Sequence, residues 1–338
     1  LPACRLSMAE GYESEDEPYT LFAEEAAAFQ PEPKVLADED GWMVLDRYPG
    51  HDGMPLERPR EDGKSTRRCL KFTLAKDAWN LDQTTVEVRR QGAEVIFQRD
   101  VLCHQHHRIA ALAVGMCCHC WGFDPVLTFL GGGGMALPMS LHHFLATAHV
   151  QVVESEAKVI GLARRFFGVA AAEGSQFRIV EGDALRFAEL LPEQPNSGLF
   201  LDIDFLRCDG GLKTVLSSWA SADFWASVWA TMAPQGLIFV NTIGGSADDV
   251  DALAGKILGS ATIAHEMLCG TLEPSPPEQE SLWAPRASVL LLGPSSALAV
   301  LERPDLISAE TQNRGAHWAV PFAEITGHAM RDAQCIRW

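Results

Sequence analysis

An α/β fold built on a mostly parallel sheet is what this 338-residue sequence predicts, and two features predict it. Four short apolar runs each stop at a glycine or an acid: 126–130 at Gly131, 149–153 at Glu154, 177–180 at Glu181-Gly182-Asp183, and 198–201 at Asp202. Segments with helical spacing lie between them. Runs that each end at a glycine or an acid are what a parallel sheet shows when it holds a ligand at the carboxyl ends of its strands.

Taken in order, residues 1 to about 34 are acidic and Ala-rich and read as a partly disordered tail with a short helix near 21–29. Residues 42–46 read as the first strand and 47–66, rich in Pro, Gly and charge, as a loop. Segments 68–74, 84–89 and 94–97 alternate as antiparallel strands, with Gln91-Gly92 as a hairpin turn. Helical spacing over 101–115 leads into the first core strand. Helices are then expected at 137–147, 155–167, 184–191, 222–232 and 248–258, a fifth core strand at 237–241, and strands near 262–268 and 288–292. The organisation predicted is therefore a tail (1–34), a β-cap (35–100), a ligand-binding α/β domain (101–300) and a C-terminal extension (301–338) to which the sequence gives no role.

The turn after the first core strand is the most informative stretch. Gly131-x-Gly133-x-x-Ala136 fits a glycine turn in which missing side chains let backbone N–H groups approach a ligand. Glu154 follows at the end of the next strand, where a carboxylate accepts ribose hydroxyls, and Asp183, after the third, is placed to accept an adenine amino proton. A glycine turn alone is a weak signal; the turn and two acids on successive strands together point to an adenosine-bearing cofactor. Glu154, Asp183, Asp202 and Asp204 crowd one strand edge, which suits a sulfonium cation better than a pyrophosphate.

The order of these motifs resembles the class I, seven-stranded S-adenosylmethionine-dependent methyltransferases. Leu130-Gly-Gly-Gly-Gly-Met-Ala-Leu-Pro138, Val152-Val-Glu-Ser-Glu156, Glu181-Gly-Asp183 and Leu201-Asp-Ile-Asp204 narrow the resemblance to the spermidine-synthase-like branch, and within it to the methyltransferases of translation elongation factor 1-alpha. It runs from about Arg68 to about Pro294. The glycine loop is one residue longer than the family's. The resemblance implies a Rossmann-like sheet preceded by an antiparallel β-cap, with S-adenosyl-L-methionine held by Gly131, Gly132, Gly133, Glu154, Asp183, Ala184 and Asp202. It also implies methyl transfer to a protein amine, a lysine or an N-terminal α-amine, with elongation factor 1-alpha as a candidate substrate. A homodimer is an assembly that it allows. Aminopropyl transfer, as in the polyamine synthases, is the alternative. Asp-Ile-Asp-Phe-Leu-Arg-Cys-Asp, running from Asp202, lacks the compact Asp-Ser/Thr-Ser/Thr-Asp-Pro run of those enzymes. A methyltransferase-fold protein that binds without turnover is the second alternative.

Asp202 and Asp204 are the candidates for orienting the amine and taking its proton, although a strand-end acid capping the next turn would read the same way. His106, in Leu102-Cys-His-Gln-His-His-Arg108, is a third catalytic candidate beside His104 and His107; a polar helix face explains these residues equally well. Gln83 in the β-cap and Asn241 after the fifth strand are weaker candidates for the site. Cys117-x-x-Cys120 has zinc-ligand spacing, but no second pair follows, and buried thiols at a helix end account for it. No metal is assigned from the sequence.

Composition restricts partners more than chemistry. The net charge of −18 disfavours nucleic-acid backbones and anionic membranes and suits a basic protein substrate, as it suits plain solubility. Nine irregularly spaced cysteines point to reduced thiols and a cytoplasmic location. No apolar run reaches membrane-span length. The sequence begins with Leu rather than Met, so it reads as part of a longer protein.

Overall fold

Asp40 and Gly41, both in the left-handed region at φ 44° and 87°, close the first hairpin. This pairing of signs is the one a two-residue turn needs to match the twist of its strands. The turn joins β1 (Lys34–Glu39) to β2 (Trp42–Arg47). β3 (Ser65–Phe72), β4 (Asp82–Gln91) and β5 (Glu94–Leu102) complete an antiparallel sheet in the order β1-β2-β3-β4-β5. Gly92, at φ 64°, makes the predicted turn between β4 and β5. The computed structural model describes residues 33–47, 65–73, 82–121, 124–189, 194–203, 221–243, 247–259, 267–274, 287–294, 296 and 333–337. Residues 1–32 of the predicted acidic tail, Asp204 and residues 301–332 lie outside them.

Two boundaries differ from the sequence expectation. β1 precedes the strand predicted to come first. Residues 101 and 102, assigned to a helix by their spacing, instead finish β5, because Leu102 pairs with Val86 across the sheet. The helix α1 spans Gln105–Trp121.

The second sheet alternates strand and helix as predicted: β6 (Val126–Leu130), α2 (Ala136–Phe144), β7 (His149–Glu154), α3 (Ala157–Phe166), β8 (Phe177–Glu181) and β9 (Asn196–Leu201). Then follow α4 (Ala222–Ala230), β10 (Met232–Ile243), α5 (Ala247–Leu258), β11 (Met267–Pro274), β12 (Ala287–Pro294) and β13 (Ala333–Arg337). Between β8 and β9 the expected helix at 184–191 is a 3₁₀ segment, Ala184–Glu189, with non-helical φ/ψ at Arg186. Of the strand expected near 262–268, residues 267 and 268 begin β11, and residues 262–266 lie outside the described ones. The strand order is β13-β11-β12-β10-β9-β6-β7-β8. Seven of these strands were predicted; β13, from the region without an assigned role, adds an eighth beside β11.

Period-two alternation sends the side chains of each core strand to opposite faces. Phe129, Phe200 and Phe239, on neighbouring strands, stack with ring centroids 4.3 Å apart on one face. Leu130, Leu201, Val240 and Leu290 lie on the other, with Trp225 and Val228 of α4 packed over them. Such contacts supply most of the stability, at about 1.5–3 kcal/mol per large side chain fully buried. The chain leaves β6 outward through β7 and β8, then returns to the other side of β6 as β9. That reversal opens a crevice at the ends of β6 and β9, where Gly131 and Asp202 lie.

Candidate active site

The glycine loop after β6 is shaped by what presses on it. Gly131 and Gly133 hold φ of 88° and 49°. A Cβ on Gly131 would collide with the backbone carbonyl of Asp202, and one on Gly132 would lie 2.6 Å from Val152 Cγ1. Cβ atoms on Gly133 and Gly134 would lie 2.7 and 2.8 Å from the side chain of Thr84, which β4 of the first sheet brings over the loop. The glycines therefore allow close packing from both sheets at once.

The loop's amides have defined partners. Glu154 Oε2 accepts from Gly132 N at 3.0 Å and Gly133 N at 3.2 Å, while Oε1 accepts from Glu156 N at 3.1 Å. Gly134 N donates to Thr84 Oγ1 at 2.8 Å. The sequence reading turned these amides toward a ligand; in the structure Glu154 and Thr84 hold them. Asp183, exposed at the next strand end, accepts from Leu185 N at 3.0 Å and so starts the 3₁₀ segment that contains Ala184. Gly182 N donates to the Glu154 carbonyl at 3.0 Å, which sets Asp183 beside Glu154 along the strand ends.

Asp202 stands across the crevice, its backbone N–H bonded to the Leu130 carbonyl at 3.0 Å. Asn241 Nδ2 donates to its Oδ1 at 2.8 Å, which fixes the plane of the carboxylate. Oδ2 faces α1, where His107 Nε2 lies at 3.3 Å and His106 Nε2 at 3.8 Å. Because a carboxylate only accepts, this contact places the His107 proton on Nε2. Burial alone would raise the Asp202 carboxyl, but its contacts with His106 and His107 outweigh it and hold the group well below the usual carboxylate range. Burial, then His106, pushes the His107 imidazole down, against the pull of Asp202; burial with His107 and His106 pushes His104 further down. The arrangement is an ionised carboxylate, one-third exposed, facing the imidazoles of His106 and His107.

Of the catalytic candidates, Asp202 and His106 come together, and His107 is the nearer histidine. Asp204 is outside the described residues. Cys117 and Cys118 are buried and form no disulfide, and the side chain of Cys120 is not among those described. Gln83 adjoins the loop, its carbonyl 4.0 Å from a Cβ on Gly133. Thr84 was not singled out in the sequence; its only signal there is being next to Gln83. No described helix is long and apolar enough to cross a membrane.

No family model matches the chain. A curated relative, the eEF1A lysine and N-terminal methyltransferase of Danio rerio, is 24% identical over 156 residues, covering 43% of this chain. The match spans 22% of that relative's length. Among solved structures, a probable spermidine synthase from Corynebacterium glutamicum ATCC 13032 superposes with a TM-score of 0.54 at 13% identity, over 91% of this chain and 98% of its own. Human methyltransferase-like protein 13 in complex with SAH gives 0.46 at 14% identity, over 69% and 95%. The chain thus resembles the methyltransferase and spermidine-synthase group in sequence motifs, and it has that group's Rossmann-like α/β fold with an antiparallel sheet ahead of it.

Proposed function

We propose that this chain is an S-adenosylmethionine-dependent methyltransferase acting on a protein amine, either a lysine or an N-terminal α-amine of a basic protein. The observation that carries the reading is the ionised Asp202 carboxylate, fixed by Asn241 and His107 and in backbone contact with the glycine loop. The residues present fit the cofactor. Gly131 lets the end of β6 lie directly against the Asp202 backbone at the crevice, and Glu154 and Asp183 place carboxylates on the two neighbouring strand ends. When bound, S-adenosylmethionine supplies an electrophilic methyl group on a sulfonium. Gly131, Gly132, Gly133, Glu154, Asp183 and Ala184 would hold it.

Asp202 does the rest of the work in this reading. The Oδ2 of this carboxylate, whose side chain is one-third exposed, draws an ammonium toward the crevice and accepts a proton from it, leaving the nitrogen lone pair free to attack. Asn241 keeps the carboxylate from rotating away, and His107 limits its orientation from the other side. The net charge of −18 favours a basic substrate over nucleic acid or an anionic membrane surface. Elongation factor 1-alpha is the first substrate to try, given the curated relative's name. The test is incubation with labelled S-adenosylmethionine and either elongation factor 1-alpha or a cell lysate, followed by identification of the labelled band and residue. Spermidine formed from putrescine and decarboxylated S-adenosylmethionine would replace this reading with aminopropyl transfer.

A further inference from the structure

We propose that His106, His107 and Asp202 form a binding site for a divalent ion of the Zn2+ and Co2+ type. Their ligand atoms, the two Nε2 and the carboxylate oxygen, all lie within 4.8 Å of one another. Both nitrogens face the same oxygen, at 3.8 and 3.3 Å. A point equidistant from three atoms so spaced lies about 2.0–2.4 Å from each, which small side-chain rotations bring to zinc bond lengths. Two imidazoles and one carboxylate select a borderline ion over Mg2+ or Ca2+, which take oxygen donors.

The surroundings favour a ligand set over a plain packing cluster. Asn241 occupies Oδ1 and leaves Oδ2 to bind, as a second-layer partner of a metal carboxylate does. A third imidazole, His104, has its ring centroid 5.4 Å from that of His106 and 5.3 Å from that of His107. Its Nε2 is buried and has no hydrogen-bond partner among the described residues, nor has His107 Nδ1. Orphaned ring nitrogens cost free energy that apolar residues at the same positions would not. A shift of the His107 proton from Nε2 to Nδ1 frees the Nε2 lone pair without any net loss of a proton.

An ion bound here occupies the same Asp202 oxygen that the amine uses, so ion and amine compete. That consequence rests on the proposed methyltransferase activity; the ion site itself does not. The test is a Co2+ titration of the chelator-treated full chain followed by visible absorbance, with Zn2+ competition by calorimetry. One equivalent should bind, with d–d bands and no thiolate charge-transfer band. His106→Ala, which removes a partly exposed ligand, and Asp202→Asn should each weaken binding by about 100-fold, while circular dichroism and a cooperative thermal melt report that each variant is folded. Stoichiometry below one, a thiolate band, or unchanged affinity in both variants would overturn the site. Ion binding without methyl transfer to any acceptor would refute the enzymatic reading and leave the ion site standing.

Discussion

Glu154→Ala removes an acceptor shared by three backbone amides, and the structure separates its consequences. Gly132 N and Gly133 N make part-buried bonds to it, whereas Glu156 N is exposed and regains water. Hydrogen bonds to a charged acceptor contribute about 1.5–3 kcal/mol when buried; reduced for partial exposure, the two loop bonds together are worth about 2–4 kcal/mol. The cofactor-free protein should lose that stability, seen as a fall in Tm of about 3–6 °C. Affinity for S-adenosylmethionine, measured by calorimetry on the folded variant, should fall by about 10–100-fold, because both the loop and the ribose contact are lost. Glu154→Gln keeps one oxygen for the loop amides and should lose less than half as much stability. An unchanged Tm with weakened affinity would mean that Glu154 serves the ribose alone and does not hold the loop. Unchanged affinity in a folded variant would refute the placement of the cofactor altogether.

Asp202→Asn should leave cofactor affinity nearly intact and lower turnover by about 10²–10⁴-fold, the range for a positioned proton acceptor. The deficit should narrow as pH rises toward the acceptor amine's own pKa, about 10.4 for a lysine or about 8 for an α-amine, where more amine is already neutral; full activity at neutral pH would make Asp202 a structural residue. Thr84→Val preserves shape at a buried position but strands the Gly134 N–H, so denaturant unfolding should show a loss of about 1–3 kcal/mol that Thr84→Ser largely restores. Burial, reinforced by the charge of Asp82, pushes the Cys69 thiol up. Cys69 should therefore escape alkylation in the folded protein at mildly alkaline pH and react once the chain is denatured, as mass spectrometry of labelled peptides would register.

The core sheet was legible because its central strands β6 and β9 are buried throughout and all four leading runs end at a glycine or an acid. β1 was not, because Lys34-Val-Leu-Ala-Asp-Glu39 carries charge at both ends and buries only Ala37; Asp40-Gly41, a strong turn signal, was the available clue. The helical spacing at 184–191 misled because periodicity cannot distinguish a true helix from a short 3₁₀ segment started by Asp183. At the site, the acids followed from strand ends. The link from Asn241 to Asp202 follows once β9 and β10 are known to be neighbours, since Val240 pairs with Leu201 and places the next residues side by side. Thr84 could not be read, because its contact with Gly134 depends on how two sheets dock, and no local pattern encodes that.

Thr84 also bears on how such a protein can be rebuilt. The antiparallel sheet has the outline of an interchangeable part: contiguous in sequence, antiparallel throughout, placed ahead of the cofactor loop. Yet the Thr84 hydroxyl accepts the Gly134 N–H and so finishes the loop, Arg68 donates to the Phe166 carbonyl at 2.8 Å, and Arg99 donates to that of Phe167 at 2.8 Å. A chimera that grafts another protein's sheet onto this core inherits a glycine loop cut to fit a side chain it no longer has. Grafts should succeed only when the donor strand carries a small hydroxyl residue at the position of Thr84, which makes that one residue the criterion for choosing donors.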